Sequence, residues 1–367
     1  MKNKKRINKF LWILVVSLML CFVSGCSINS QSKTKEYIVN YISTDSKVYS
    51  STAEVVDAVA DSVVEISTES ITTNWGTQYI VSGAGSGVII GSSNSSYYII
   101  TNHHVIDGAS EIKVKTRVGT EYESSVVASD DSADIAIVKV NTNDDLKVAT
   151  WGDSDELQVG EDLIAIGNPL GSLGGTVTKG ILSAKGRKIT VGEYAMTLLQ
   201  TDTAINPGNS GGGLFNMRGE LIGVVNAKTT DEEVEGICFA IPSNTARTVY
   251  DSLLTYGYLE GRATILIEIA EGTISTGGIN TQTETIVYVT KVNGDNGFTK
   301  YDRIYKLNGI EINSIAKYNL VLQELKPGDE ITVEVYHGQV TQTMFGNSIS
   351  FETKTSSFKT TLIQYGA

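Results

Sequence analysis

Cysteine, proline and histidine are all scarce in this chain: its 367 residues include three cysteines, four prolines and three histidines. Cys21 and Cys26 lie near the amino terminus, and Cys238 sits in the apolar run Ile237-Cys238-Phe239-Ala240-Ile241. Once the amino-terminal segment is removed no internal disulfide can form, so stability must come from packed cores. Cys238 reads as a small core residue rather than a reactive thiol. With so few histidines and no cysteine pair at ligand spacing, neither a metal site nor another cofactor is expected. Basic residues are in the minority as well, and the net charge of −12 argues against nucleic acid as a partner.

The amino terminus departs from this average. Residues 1–9 carry Lys2, Lys4, Lys5, Arg6 and Lys9, and residues 10–24, FLWILVVSLMLCFVS, are nearly all apolar. That run falls short of the roughly 20 residues a spanning helix needs, but it fits the apolar region of a secretory signal. It ends in Val23-Ser24-Gly25-Cys26, which resembles a bacterial lipobox, where the cysteine is acylated and becomes the first mature residue. Residues 1–25 are therefore expected to be a lipoprotein-type signal peptide and Cys26 the lipid attachment site; the alternative is a short uncleaved anchor. Either arrangement puts the protein at the extracytoplasmic face of a bacterial cell membrane. Loss of residues 1–25 removes five positive charges and no negative ones, taking the net charge from −12 to −17. Residues 26–50 are polar with scattered tyrosines and are expected to form a tether.

Ser51-Thr52-Ala53-Glu54 has the spacing of a capping box and predicts a short helix with Val55, Val56 and Val59 on its apolar side. Between residues 63 and 241, short apolar runs alternate with Gly, Ser, Asn and Asp, the pattern of an all-β barrel or sandwich. Ser243 is expected to cap a helix that Gly257 stops, closing a first domain over 51–257. Residues 262–365 return to strands, with one helix predicted from Ser314 to Leu325, and form a second domain. His337, beside Gly338, reads as a surface turn residue.

The stretch richest in chemistry is residues 200–214, QTDTAINPGNSGGGL, which sets Ser210 among glycines. A serine hydroxyl is a weak nucleophile at neutral pH and needs a base for its proton and donors for the oxyanion that forms. Glycine lets the backbone turn sharply enough for neighbouring N–H groups to converge, and Gly208, Asn209 and Ser210 are the candidate oxyanion residues. Taken alone, such a run is more often an ordinary turn. Imidazoles occur at His103 and His104, at the end of the apolar run Tyr97–Ile100, and a carboxylate occurs at Asp134, at the edge of Ile135–Val138. His, Asp and Ser thus follow the order found in chymotrypsin-type barrels.

The blocks TNHHV, DIAIVK and GNSGG resemble the signatures of the HtrA (Deg) family of trypsin-like serine proteases, as do AIGNPLG, QTDTAINPGNSGG and FAIP. The resemblance implies a chymotrypsin-like double β-barrel followed by an α+β PDZ-like domain. It carries the base onto His104, the orienter onto Asp134 and the nucleophile onto Ser210, and leaves His103 as a variable neighbour. The specificity pocket falls on Ala204, Ile205 and Asn226; with no carboxylate there, cleavage is expected after small or medium aliphatic residues. Gly213 stands where the family commonly has proline. Asn209 replaces the aspartate that pairs with a newly cut amino terminus in digestive enzymes, so that activation route is absent. VYVTKV, NGFTKYDRIYKLNGIEI and LKPGDEITVEVY resemble the family's PDZ domain. Its peptide-binding stretch maps to Thr264, Ile265, Leu266 and Ile267, with Leu266 where glycine is usual.

Taken together, the resemblance implies a membrane-anchored, ATP-independent serine endopeptidase acting through an acyl-enzyme on misfolded or selected proteins outside the cytoplasm. Its partners would be unfolded proteins and peptide carboxyl termini, and its assembly a homotrimer. A protease-shaped chaperone or PDZ scaffold with little hydrolysis is the alternative; the intact triad argues against it.

Overall fold

Valine- and isoleucine-rich runs fold here as two closed barrels followed by a six-stranded sheet with two two-stranded ribbons. The computed structural model describes residues 38–39, 47–74, 77–168, 175–206, 208–227, 236–276, 282–343 and 346–366. The expected signal peptide, Cys26, most of the tether, Pro169 and Pro207 lie outside the described residues.

The first barrel comprises β1 (Ile38–Val39), β2 (Val63–Asn74), β3 (Thr77–Ser93), β4 (Ser96–Thr101), β5 (Glu111–Lys115), β6 (Glu121–Asp130) and β7 (Ile135–Asn141). Their order is β1-β3-β2-β5-β6-β7-β4, and a further β3–β4 pairing closes the ring with β1 outside it. The second comprises β8 (Thr150–Trp151), β9 (Asp162–Gly167), β10 (Thr176–Val191), β11 (Tyr194–Thr201), β12 (Gly213–Asn216), β13 (Glu220–Asn226) and β14 (Cys238–Pro242). It runs β12-β9-β10-β11-β14-β13-β8 and closes through β12–β13.

Strand side chains alternate between faces, yet Val88, Ile89 and Ile90 are all fully buried. Ile89 joins Val64, Ile66, Ile99 and Val138 in one cluster. Val88 and Ile90 join Ile100, Ile164, Phe215 and Trp151 in a second cluster that draws on both barrels and on helix residues Ala246, Val249, Tyr250 and Leu253. Both faces of these strands are therefore dry, which is why the sequence shows continuous apolar runs instead of alternation. Leu163, Leu182, Leu199, Leu214, Val225 and Cys238 fill the second barrel.

Helix α1 (Thr52–Val59) is capped by Ser51, whose hydroxyl accepts the Glu54 N–H; the Glu54 carboxylate accepts from Ser50. A single turn, α2 (His103–Ile106), follows β4. Helix α3 (Ser243–Tyr256) ends at Gly257, whose φ of 83° is the left-handed conformation expected of a stop. Its start differs from expectation: Pro242 occupies the N-cap, and the Ser243 hydroxyl donates instead to the Gly152 carbonyl. Part of the expected tether is also docked, because β1 pairs with Gly91 and Ser92 and the Tyr49 N–H donates to Met217.

The second domain comprises β15 (Ala263–Thr264), β16 (Ile267–Thr276), β17 (Gln282–Val292), β18 (Arg303–Leu307), β19 (Ile310–Glu311), α4 (Ile315–Gln323), β20 (Glu330–Tyr336), β21 (Gly338–Thr343), β22 (Gly346–Phe351), β23 (Ser356–Thr361) and β24 (Ile363–Gln364). Its main sheet runs β16-β17-β18-β20-β23, with Tyr318 and Leu322 of α4 packed in the same cluster as Val287, Val289, Ile304 and Val333. His337 is more than the surface turn residue expected, since its Nδ1 lies 2.8 Å from the fully buried Asp302 carboxylate. Among the described residues no helix is long and apolar enough to cross a membrane.

Candidate active site

The β4 strand delivers His104 to the seam between the barrels, and α2 turns it toward Asp134. The His104 N–H donates to Asp134 Oδ1 at 3.0 Å, and its ring Nδ1 lies 2.8 Å from Asp134 Oδ2. On the other side Nε2 lies 3.0 Å from Ser210 Oγ. An ionised carboxylate only accepts, so the proton belongs on Nδ1 and Nε2 is left to accept from the serine hydroxyl. His103 faces elsewhere, with Nδ1 3.2 Å from Ser129 Oγ and Nε2 3.8 Å from Asp107.

Asp134 is buried and sits at φ 50°, a left-handed conformation that Asp tolerates better than most residues. The Asn102 amide donates to its backbone carbonyl at 3.0 Å, which fixes the peptide and hence the direction of the carboxylate. Asn226, expected in the specificity pocket, is fully buried and donates its side-chain amide to Asp134 Oδ2 at 2.8 Å. Its signal was a lone polar residue ending the apolar run Leu221–Val225.

Ser210 is held by backbone bonds to both barrels. Ser86 donates its N–H to the Ser210 carbonyl at 2.8 Å, and the Gly211 N–H donates to Val225 at 3.0 Å. The Ser86 hydroxyl donates to the Gly208 carbonyl at 2.7 Å and accepts the Asn168 N–H at 2.8 Å, a bracing role that sequence reasoning missed. Gly208 has φ 96°, and the Asn209 N–H donates to Asn206 at 3.0 Å, the signature of a turn that reserves its third position for glycine. That bond removes Asn209 from the candidate oxyanion donors and leaves Gly208 and Ser210. Gly211 is irreplaceable on two counts: its φ is 80°, and a β-carbon there would run into Ser86 O and Thr101 Oγ1.

Of the other pocket residues, Ala204 is exposed with its carbonyl accepting from Thr178. Ile205 points into the second barrel's core beside Leu214 and Val225, so it packs the floor from beneath.

A second polar cluster adjoins the triad. Arg262, largely buried, donates to Asp130 at 2.8 Å, to Asp131 at 2.5 Å and to the Tyr194 hydroxyl at 2.9 Å, and stacks 3.8 Å from the Tyr365 ring. Burial alone would disfavour the Asp131 anion, but the Arg262 guanidinium outweighs it and holds the carboxyl below its ordinary value. Burial and the Asp131 carboxylate push the Tyr194 phenol up. Asp130 also accepts the Ser132 hydroxyl and the Ala133 N–H, so the turn leading into Asp134 is gripped by a residue of the second domain. From the same domain, Gln323 bonds both backbone groups of Ala195.

Beside this contact lies a cavity of about 630 Å³ whose lining includes Ile267, Ile269, Ile315, Tyr318 and Leu322. Of the expected peptide-binding stretch, Thr264 pairs with β24 and Ile265 is a core residue. Leu266 is exposed with its carbonyl accepting from Asn293 and Asn296. The Ile267 N–H donates back to Ile265 at 2.7 Å, so it is not offered to a carboxylate.

Residues 85–224 match the trypsin-like peptidase domain family, and residues 275–345 match the PDZ domain family. The chain is 39% identical over 274 residues to the serine protease Do-like HtrA of Bacillus subtilis (strain 168), covering 69% of this chain and 61% of the relative. It is 38% identical over 256 residues to the periplasmic pH-dependent serine endoprotease DegQ of Escherichia coli (strain K12), covering 68% and 55%. The chain thus spans somewhat over half the length of these curated relatives. Among solved structures, the HtrA-type protease AlgW with decapeptide superposes with a TM-score of 0.54 at 27% identity, covering 86% of this chain and 99% of that one. The serine endoprotease from Yersinia pestis gives 0.51 at 30% identity, covering 87% and 99%. With two barrels meeting at a Ser-His-Asp relay and a PDZ domain following them, the chain belongs to the HtrA family of trypsin-like serine proteases.

Proposed function

We propose that the protein is a serine endopeptidase that cleaves unfolded or misfolded polypeptides outside the cytoplasm. The observation that carries this reading is the continuous line from Asp134 through His104 to Ser210, with gaps of 2.8 and 3.0 Å. Ser210 Oγ attacks the scissile carbonyl while Nε2 of His104 takes its proton. Asp134 holds the ring and stabilises the imidazolium. The N–H groups of Gly208 and Ser210 receive the oxyanion. His104 then returns the proton to the leaving amine, an acyl-enzyme remains on Ser210, and water releases the acid by the same steps in reverse.

An apolar pocket over Ala204 and Ile205 separates aliphatic residues only weakly, by about 1–3 kcal/mol per methylene, so cleavage after small or medium aliphatics should be broad. The cavity beside α4 is the place for a peptide strand added to the β16 edge. Because the Ile267 N–H is already committed, an internal segment suits it better than a carboxyl terminus. The signal-like residues 10–24 and the lipobox-like Cys26 support membrane anchoring, and family likeness supports a role in protein quality control and a homotrimer.

The deciding experiment is casein hydrolysis by the purified mature protein beside its Ser210→Ala form. Loss of proteolysis in the variant, with an unchanged thermal midpoint, supports the reading. Equal rates, or no hydrolysis by the parent under any activating peptide, would favour a chaperone or scaffold instead.

A further inference from the structure

A second cavity, of about 410 Å³, opens where the amino-terminal segment meets the turn between β12 and β13, and its lining carries the cations Lys47, Lys147 and Arg218. The Tyr49 ring forms part of the wall, so close to Gly219 that a β-carbon there would lie 3.2 Å from Tyr49 Cε2. Many cations of this acidic chain are paired: Lys113, Lys179, Lys291, Lys359, Arg117 and Arg303 each reach a carboxylate. Lys47 and Lys147 reach none among the described residues, and Lys47 instead lies 5.2 Å from the centre of the Tyr49 ring. Arg218 bonds the buried Glu220 through Nε at 2.8 Å, which neutralises that carboxylate and leaves the two terminal guanidinium nitrogens for another acceptor. Glu54, a carboxylate that senses the Lys47 charge, already accepts from the Ser50 N–H and hydroxyl.

The three cations come from three separate segments, and Thr150 adds a hydroxyl beside them. Ammonium and guanidinium groups only donate, so an empty concavity of this kind is self-repelling and a bound anion relieves it. Donors converging from three directions suit the tetrahedral oxygens of a phosphate better than the planar pair of a carboxylate. Position selects the source of that phosphate. Lys47 follows the lipobox-like Cys26 by 21 residues, so the pocket is built by the end of the tether and lies on the side of the fold from which the tether departs. The expected mature chain is strongly acidic and would be repelled by an anionic lipid surface on most of its faces. We propose that this pocket binds a phosphate group, and that in the anchored protein the group is that of an anionic phospholipid headgroup, which holds the tether side of the first domain against the membrane. This inference rests on the membrane anchoring proposed above.

The test uses the mature chain with Lys47→Gln, Lys147→Gln and the double variant. Arg218 is left in place because Glu220 would lose its partner. Thermal midpoint and peptidase rate should not change, since both lysines are exposed and neither belongs to the triad. Calorimetric titration with glycerol 1-phosphate tests the pocket whether or not Cys26 carries a lipid, so failure of the anchoring reading is seen separately, in the intact mass of the mature chain. Co-sedimentation of the unacylated chain with phosphatidylglycerol–phosphatidylcholine vesicles, beside phosphatidylcholine vesicles alone, tests the source. Each lysine removed should weaken both kinds of binding by about five-fold, and the double variant by about 25-fold. Added salt should weaken vesicle binding, glycerol 1-phosphate should compete with it, and Lys306→Gln in the second domain should leave it unchanged. Equal binding by parent and double variant, or an equal loss with Lys306→Gln, overturns the proposal. Glycerol 1-phosphate binding that is lost in the double variant while vesicle binding persists overturns the headgroup assignment in favour of a soluble phosphate. A parent oligomer that the double variant dissociates, with no phosphate bound by either, overturns the proposal as well, for the pocket would then receive an acidic segment of a second copy.

Discussion

Arg262→Ala removes the cation that joins the second domain to the turn before Asp134. Its side chain is 13% exposed and Asp130 only 2%, whereas Asp131 is 38% exposed. Removing one member of a buried ion pair costs about 3–5 kcal/mol, because the other charge is left uncompensated. Here Asp130 keeps two donors on Oδ1 and Asp131 keeps the Tyr194 hydroxyl, so the lower figure, about 3 kcal/mol, applies. With an unfolding entropy of about 2.1 cal/mol/K per residue, a loss of that size should lower the melting midpoint by roughly 4–6 °C. Well below the transition, relaxation of residues 130–133 shifts the Asp134 carboxylate. A misplacement near 1 Å costs about a hundred-fold in rate, so kcat should fall between ten- and a hundred-fold with KM little changed. The acid limb gives a second readout. Since the folded Asp131 carboxyl is held below its ordinary value of about 3.9, its contribution is present above that pH and is lost as pH falls through the folded value. Arg262→Ala should therefore flatten the stability profile below about pH 4. Calorimetry, steady-state kinetics on a short reporter and an acid titration check these outcomes. An unchanged midpoint together with unchanged kcat would refute the claim that this cluster supports Asp134.

Three further outcomes follow from the site. His104→Ala should reduce peptide hydrolysis to near background while His103→Ala keeps most of it, because only His104 reaches Ser210; a reporter assay on folded variants decides. Asn226→Ala deletes one bond to the Asp134 anion, worth about 1.5–3 kcal/mol, and should lower kcat by roughly ten- to a hundred-fold; a rate within two-fold of the parent would show that the His104 N–H alone orients the carboxylate. Gly211→Ala forces a β-carbon against Ser86 and Thr101, and should abolish activity and lower the thermal midpoint together.

The parts of the site legible in the sequence are those that a strand end presents locally. His104 follows a buried strand, Asp134 precedes another, and Ser210 lies in a turn whose glycines are required by positive φ and close approach. Buried strands were readable for the same reason, since two dry faces leave an uninterrupted apolar run. Strands β6 and β10 carry no such run: much of β10 and of the β6 start is exposed, so their residues are chosen for solvent rather than for a core. Arg262 was missed as a partner of Asp130 because 132 positions separate them, and no local pattern encodes a pairing between domains. The bond from Asn226 to Asp134 is likewise illegible locally, because 92 positions separate the two.

The turn Asp130–Asp134 explains why the catalytic carboxylate needs so much distant support. Three carboxylates fall within these five residues, and left without donors they would repel one another. The fold supplies each with donors, Arg262 being shared by two of them. Asp130 takes Arg262, Ser132 and Ala133; Asp131 takes Arg262 and Tyr194; Asp134 takes the His104 backbone and ring and the Asn226 amide. These donors come from the first barrel, the second barrel and the following domain. Arg262 thus links the second domain to Asp130, Asp131 and Tyr194, four residues or fewer from the catalytic carboxylate in the case of the two aspartates.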